Sequence, residues 1–99
     1  DMLNSKQRAY LRGLANSFEP IVHVGKGGFA DTIVKQADDA LTARELVKGK
    51  VLETAPLSSR EAAEQIAAAV GAEVVQVIGR TFVLYRRNPK EPQIVLPNR

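Results

Sequence analysis

These residues encode an α/β domain, a two-layer sandwich in the order α-β-α-β-α-β-β, with one four-stranded mixed sheet packed by three helices. Three observations predict it. Apolar residues recur at steps of three and four in three separate stretches, the periodicity of helices with one buried face. Short β-branched runs lie between and after those stretches. The punctuation at Glu19-Pro20, Pro56, Gly71 and Gly79-Arg80 falls where such a chain must turn.

Leu3, Leu11, Leu14, Ala15 and Phe18 follow helical spacing, and Asn4 with Gln7 forms a capping box, so a first helix runs from about Ser5 to Asn16. Arg8 and Arg12 make an i, i+4 stripe beside its apolar face. Ile21-Val22-His23-Val24 reads as a strand that feeds the turn Gly25-Lys26-Gly27-Gly28. Phe29, Ile33, Ala37, Ala40 and Leu41 give a second helix from about Ala30 to Arg44. Leu46 to Glu53 has strand composition except at Gly49, which marks a bulge or a close backbone approach. Ser58 and Glu61 form a second capping box before the stripe Ala62, Ala63, Ile66, Ala67 and Val70, and Gly71 stands where a helix C-cap belongs. Val74 to Ile78 and Thr81 to Arg86 are two strands joined by Gly79-Arg80, and Gly at the first loop position suits a type II′ hairpin with Arg80 at its tip. Beyond Asn88-Pro89 the apolar triplet Ile94-Val95-Leu96 is expected to pack on the fold. Residues 3–87 form the domain in this reading and residues 88–99 a C-terminal extension. Met2 reads as a natural start, and Asp1 is left out of the argument.

With 99 residues and 44% hydrophobic content the chain is long enough for one core without staples. It has no cysteine, so disulfides, thiolate nucleophiles and Cys-based zinc sites are excluded. No apolar run approaches the ~18 residues of a spanning helix, and no signal peptide is visible. Cytoplasm is therefore the default location, with no membrane partner, and a monomer is the default state.

Formal charge is +3, unevenly spread. Residues 1–26 hold four basic and two acidic side chains, residues 27–79 five and eight, and residues 80–99 five and one. Two basic ends around an acidic centre make one basic face if the ends meet, the footprint of a phosphate binder. Separate solvated patches are the alternative.

A strand entering a Gly-x-x-G turn that opens a helix is suited to hold a phosphodiester backbone. Glycines reach positive φ and let another backbone approach, while N–H groups and a positive dipole end face outward at the helix start. Lys26 adds a mobile charge, and KH-type loops of this form clamp about four nucleotides. Nucleotide-enzyme motifs fail on spacing: no Ser or Thr follows a Gly-Lys pair, and Gly25-Lys26-Gly27 does not extend to Gly-x-Gly-x-x-Gly. His23, the one histidine, has no Cys or His partner for a metal. Asp38 and Asp39 diverge by about 100° on a helix, and Ser58 and Ser59 are explained by capping. No cofactor, small-molecule substrate or catalytic set is indicated, and the chain reads as a non-enzyme. Phe82 and Tyr85 fall on opposite strand faces, so paired stacking aromatics are not supported and backbone or shape recognition is favoured.

The residues that carry this reading also resemble a known family. They are Ser5-Lys6-Gln7-Arg8 with Leu11-Arg12, Val24 to Gly28, Ala43-Arg44-Glu45-Leu46-Val47-Lys48, and Val75-Gln76-Val77-Ile78-Gly79-Arg80-Thr81-Phe82-Val83-Leu84-Tyr85-Arg86. Together they resemble the CRM domain, the chloroplast RNA splicing and ribosome maturation module, in its stand-alone bacterial YhbY-type form. The resemblance implies a KH-like α/β domain, related in fold to the C-terminal domain of a translation initiation factor. It also implies association of bacterial members with precursors of the large ribosomal subunit and of plant members with intron splicing. It puts the Gly-x-x-G loop on Gly25, Lys26, Gly27 and Gly28 and the hairpin basic position on Arg80. Gly49 departs from the Val-like residue expected in that strand.

The expected function is non-catalytic binding of ribosomal RNA or 50S subunit precursors in ribosome biogenesis. The RNA-binding set is Gly25 to Gly28 with Lys6, Arg8, Arg12, Arg80 and Arg86. Arg86 and Arg87 point to opposite sides of a strand, so only one of them can join a single patch. Two alternatives share the same features: a module docking on a ribosomal protein or assembly factor, and a small DNA-binding domain.

Overall fold

The computed structural model describes residues 3–98 and has the predicted element order. The readings of Asp1 and Met2 lie outside the described residues. The elements are α1 (Ser5–Ala15), β1 (Val22–Val24), α2 (Asp31–Arg44), β2 (Leu46–Val51), α3 (Ser59–Val70), β3 (Glu73–Ile78) and β4 (Thr81–Tyr85). Most boundaries agree with the sequence reading to within a residue, and β2 ends two residues early.

Local chemistry explains where the helices begin and end. Asn4 and Ser58 each accept a hydrogen bond from the N3 backbone while Gln7 and Glu61 reach back to the cap N–H, so both capping boxes are complete. Gly71 ends α3 in the left-handed conformation at φ 70°. In the β3–β4 turn φ is positive at Gly79 (56°) and not at Arg80, as a type II′ turn requires.

The sheet order is β1-β2-β4-β3, with β1 parallel to β2 and the other pairs antiparallel. Alternation sorts its side chains between two cores. Val22, Val24, Val47, Val51, Phe82 and Leu84 pack with Ala37 and Leu41 of α2 and with Ala62, Ala63 and Ile66 of α3. Leu46, Val75, Val83 and Tyr85 face the other way and pack with Leu3, Leu11 and Ala15 of the α1 region. The body is thus a sheet backed by α2 and α3, and α1 covers part of the opposite face.

Gly49 is explained by its cross-strand partner Phe82. A Cβ there would lie 2.3 Å from the Phe82 ring, so the glycine makes room for the largest fully buried side chain of the core. Of the two readings of Gly49, close approach holds. The bulge lies instead in β3, between Val74 and Gln76.

The C-terminal segment is built into the fold. Ile94 and Leu96 pack against the α1-side core, and Gln7 Nε2 donates to the Pro97 carbonyl at 3.0 Å. The main anchor is Glu45, which is fully buried and has φ 66° between α2 and β2. Its Oε2 accepts the Asn88 N–H at 2.7 Å, and its Oε1 accepts those of Gln93 and Ile94 at 2.9 and 2.8 Å.

Candidate nucleic-acid interface

The glycine turn hangs from the C-terminal end of β1. Gly28 N–H closes the turn on the Gly25 carbonyl at 2.9 Å, and Gly28 takes φ 64°. Lys26 and Gly27 form the exposed tip. Behind it stand Leu52 and Pro56, and a Cβ on Gly28 would lie 3.0 Å from Pro56 Cγ. Backbone conformation and packing therefore both demand glycine at Gly28. The helix that follows begins one residue later than predicted, at Asp31, with Ala30 as an N-cap that offers no side-chain hydrogen bond. Asp31 supplies its own negative charge to that dipole end, so the anion-holding capacity rests on the exposed tip and Lys26 more than on the helix start.

Topology then brings the β3–β4 turn to the same end of the sheet. Val24 is paired with Val51, and Val51 N–H donates to the Arg80 carbonyl at 2.7 Å. The glycine turn and Arg80 thus flank the end of β2, about 10 Å apart at two strand spacings. Arg80 lies 3.9 Å from Glu53, with both side chains more than half exposed. Such a pair is held weakly and leaves Arg80 available to a stronger anion.

Other members of the predicted basic set are dispersed. Arg8 donates to the Val74 carbonyl, which places the Arg8/Arg12 flank of α1 over the sheet toward β3. Lys6 lies about 200° around the helix from Arg8, so it is exposed on the opposite flank and does not join that stripe.

Arg86 requires a correction. It sits on the α2/α3 side, where Nη1 donates to Asp38 Oδ1 at 2.7 Å and to the Val70 carbonyl at 2.8 Å. Nη2 donates to Thr42 Oγ1 at 2.8 Å and to the Asp38 carbonyl at 3.1 Å. With its side chain only 22% exposed, Arg86 ties α2, α3 and β4 together and has little left for RNA.

Two lysines outside the predicted basic set are open to solvent, Lys50 exposed and Lys48 half-exposed. Lys48 and Lys50 alternate with buried Val47, Gly49 and Val51, so they point to the α1 side of the sheet. Lys50 is paired with His23 on β1 and with Thr81 on β4. The period-two pattern of Val47 to Val51 was the available signal. Among the described residues, no helix is long and apolar enough to cross a membrane, and no group of three or more His, Asp or Glu side chains is placed to hold a metal.

The family model for the CRS1 / YhbY (CRM) domain matches residues 3–86. The chain belongs to this family. It is 42% identical over 96 residues to "Probable RNA-binding protein YqeI" of Bacillus subtilis, a match that covers 97% of this chain and all of that one. It is 35% identical over 101 residues to "RNA-binding protein" of Haemophilus influenzae, covering 98% and 97% of the two chains. The solution structure of the hypothetical protein SAV1595 from Staphylococcus aureus superposes with a TM-score of 0.81 at 44% identity, covering 97% of this chain and all of that one.

Proposed function

We propose that this CRM-family protein is a non-catalytic RNA-binding protein that recognises ribosomal RNA in large-subunit precursors, with the Gly25–Gly28 turn as its backbone clamp. The carrying observation is the turn itself. An exposed Lys26-Gly27 tip, closed by the Gly28–Gly25 hydrogen bond, stands beside the Arg80 turn at one end of the sheet. That arrangement offers N–H groups, close approach and two cations to a phosphodiester chain. The names of the relatives support RNA as the ligand, and the bacterial YhbY-type resemblance supports the ribosomal setting.

Binding of wild type and a Gly25→Asp, Lys26→Ala variant to large-subunit rRNA fragments across a salt series tests this reading. Four to six phosphate contacts predict a slope of roughly −3 to −4 in log K against log salt. The variant should bind more weakly and with a flatter slope while remaining folded by circular dichroism. Salt-independent binding by wild type, or equal binding by the two proteins, would refute the clamp. Preference for duplex DNA over the rRNA fragments at matched salt would refute the choice of RNA.

A further inference from the structure

Among the described residues, no helix or strand covers the half of the α1-side sheet nearest the glycine turn. Below it, α1 and the C-terminal segment bury Leu46, Val75, Val83 and Tyr85. Above that core runs a row of neighbouring residues across the strands: His23, Lys50, Thr81 and Ile78. Lys48 and Gln76 flank Val83 in the next row. Lys50 and His23 are exposed, Lys48 is half-exposed, and Ile78 is 63% exposed although it is a large apolar residue. Neither row contains a carboxylate, the exposed Glu19 lies beside Lys48 in the groove at the β1 edge, and among the described residues Lys48 and Lys50 have no ion-pair partner. Two lysines on one strand face, about 7 Å apart, form a cationic track that starts beside the clamp and runs along β2 toward Leu46 and the α1-side core.

We infer that this open half-sheet is a second RNA-binding surface, on which a single strand leaving the Gly25–Gly28 clamp lays its phosphates along Lys50 and Lys48. The inference rests on the clamp reading and extends it to the ligand's length and character. The strand rows carry two lysines and no aromatic side chain, with the exposed Phe18 lining the groove beside Lys48, so the surface holds backbone charge first and reads little sequence. Ile78 at the far end offers apolar contact to a sugar or base without specifying it. The ligand is therefore a strand longer than the four or so nucleotides that a clamp alone engages.

The test compares wild type with a Lys48→Gln, Lys50→Gln variant, using a 5-nucleotide and a 15-nucleotide single-stranded RNA of mixed sequence. A Lys35→Gln, Lys90→Gln variant loses the same net charge elsewhere on the surface. Loss of two single-strand phosphate contacts should flatten the salt slope by about 1.4 and weaken the 15-mer about 25-fold at 0.1 M salt relative to 1 M. The 5-mer should bind the track variant as it binds wild type, and the control variant should match wild type on both. If the track variant holds the 15-mer like wild type, or the control variant loses as much, the track is refuted while the clamp stands. If wild type binds neither RNA, both readings fall. If a polyglutamate peptide binds as tightly as the 15-mer and is lost in the same variant, the surface is a generic acid binder and the assignment to RNA is overturned. Thermal melts of all three proteins separate loss of binding from loss of fold.

Discussion

Replacing Glu45 should loosen the C-terminal segment first and lower global stability second. Its carboxylate is fully buried and accepts three backbone N–H groups from residues 43 to 49 positions away. In Glu45→Gln the amide oxygen can still accept Gln93 and Ile94, but the amide NH₂ then meets the Asn88 N–H donor to donor. One charge-assisted bond is lost and two are reduced to neutral ones, which together cost about 2 kcal/mol. For a chain of this length that is a fall of roughly 10 °C in Tm. Glu45→Ala removes all three bonds and keeps the positive φ, for a loss of about 3–4 kcal/mol. Glu45→Gly removes the same bonds but relieves the backbone at φ 66°, and should be about 1 kcal/mol less damaging than the alanine variant. Urea unfolding measures the totals, and hydrogen exchange at Asn88, Gln93 and Ile94 locates them. A Glu45→Gln protein within ~0.5 kcal/mol of wild type, or one that loses protection evenly across the sheet, would refute the anchor.

The same anchor fixes the direction of a pH dependence. Burial alone would raise the Glu45 pKa, but the N–H groups of Asn88, Ile94 and Gln93 and the charge of Arg87 outweigh it and hold the carboxyl below its ordinary 4.5. A folded pKa below the unfolded one means that the contribution is complete above the unfolded value and is lost as pH falls through the folded one. Acid should therefore release the C-terminal segment, and Glu45→Gln should remove that part of the acid sensitivity.

Gly49→Ala should destabilise the domain by about 1–3 kcal/mol through overpacking against Phe82, and Phe82→Leu in the same chain should recover part of the loss in urea unfolding. Full stability in Gly49→Ala alone would show that the ring moves aside freely. Arg86→Ala should cost about 2 kcal/mol because it breaks four hydrogen bonds around a partly buried guanidinium, and at a temperature where it is folded it should bind RNA as wild type does. Arg80→Ala should show the reverse pattern, with unchanged melting and weaker, less salt-sensitive RNA binding. Identical behaviour of these two variants would contradict the division between a structural and a ligand-facing arginine.

What the amino-acid order determined by itself is what depends on residues within about four positions of one another. The boxes Asn4–Gln7 and Ser58–Glu61, the Gly71 cap, the Gly79 turn and the alternation of the strands are closed by local hydrogen bonds and steric rules, so they are legible without a partner element. The Gly-x-x-G turn was legible for the same reason. What tertiary structure alone decided is which charges share a surface. Because the sheet runs β1-β2-β4-β3, the glycine turn meets Arg80 across β2. Because α1 covers only half of one face, Lys48 and Lys50 stay open, although they lie in the stretch whose charge balance is acidic. Arg86 was drawn into the fold by Asp38 and Thr42, and Glu45 by amides more than forty residues away. Such long-range pairings are set by how packed elements lie against one another, and no local pattern in the chain encodes them.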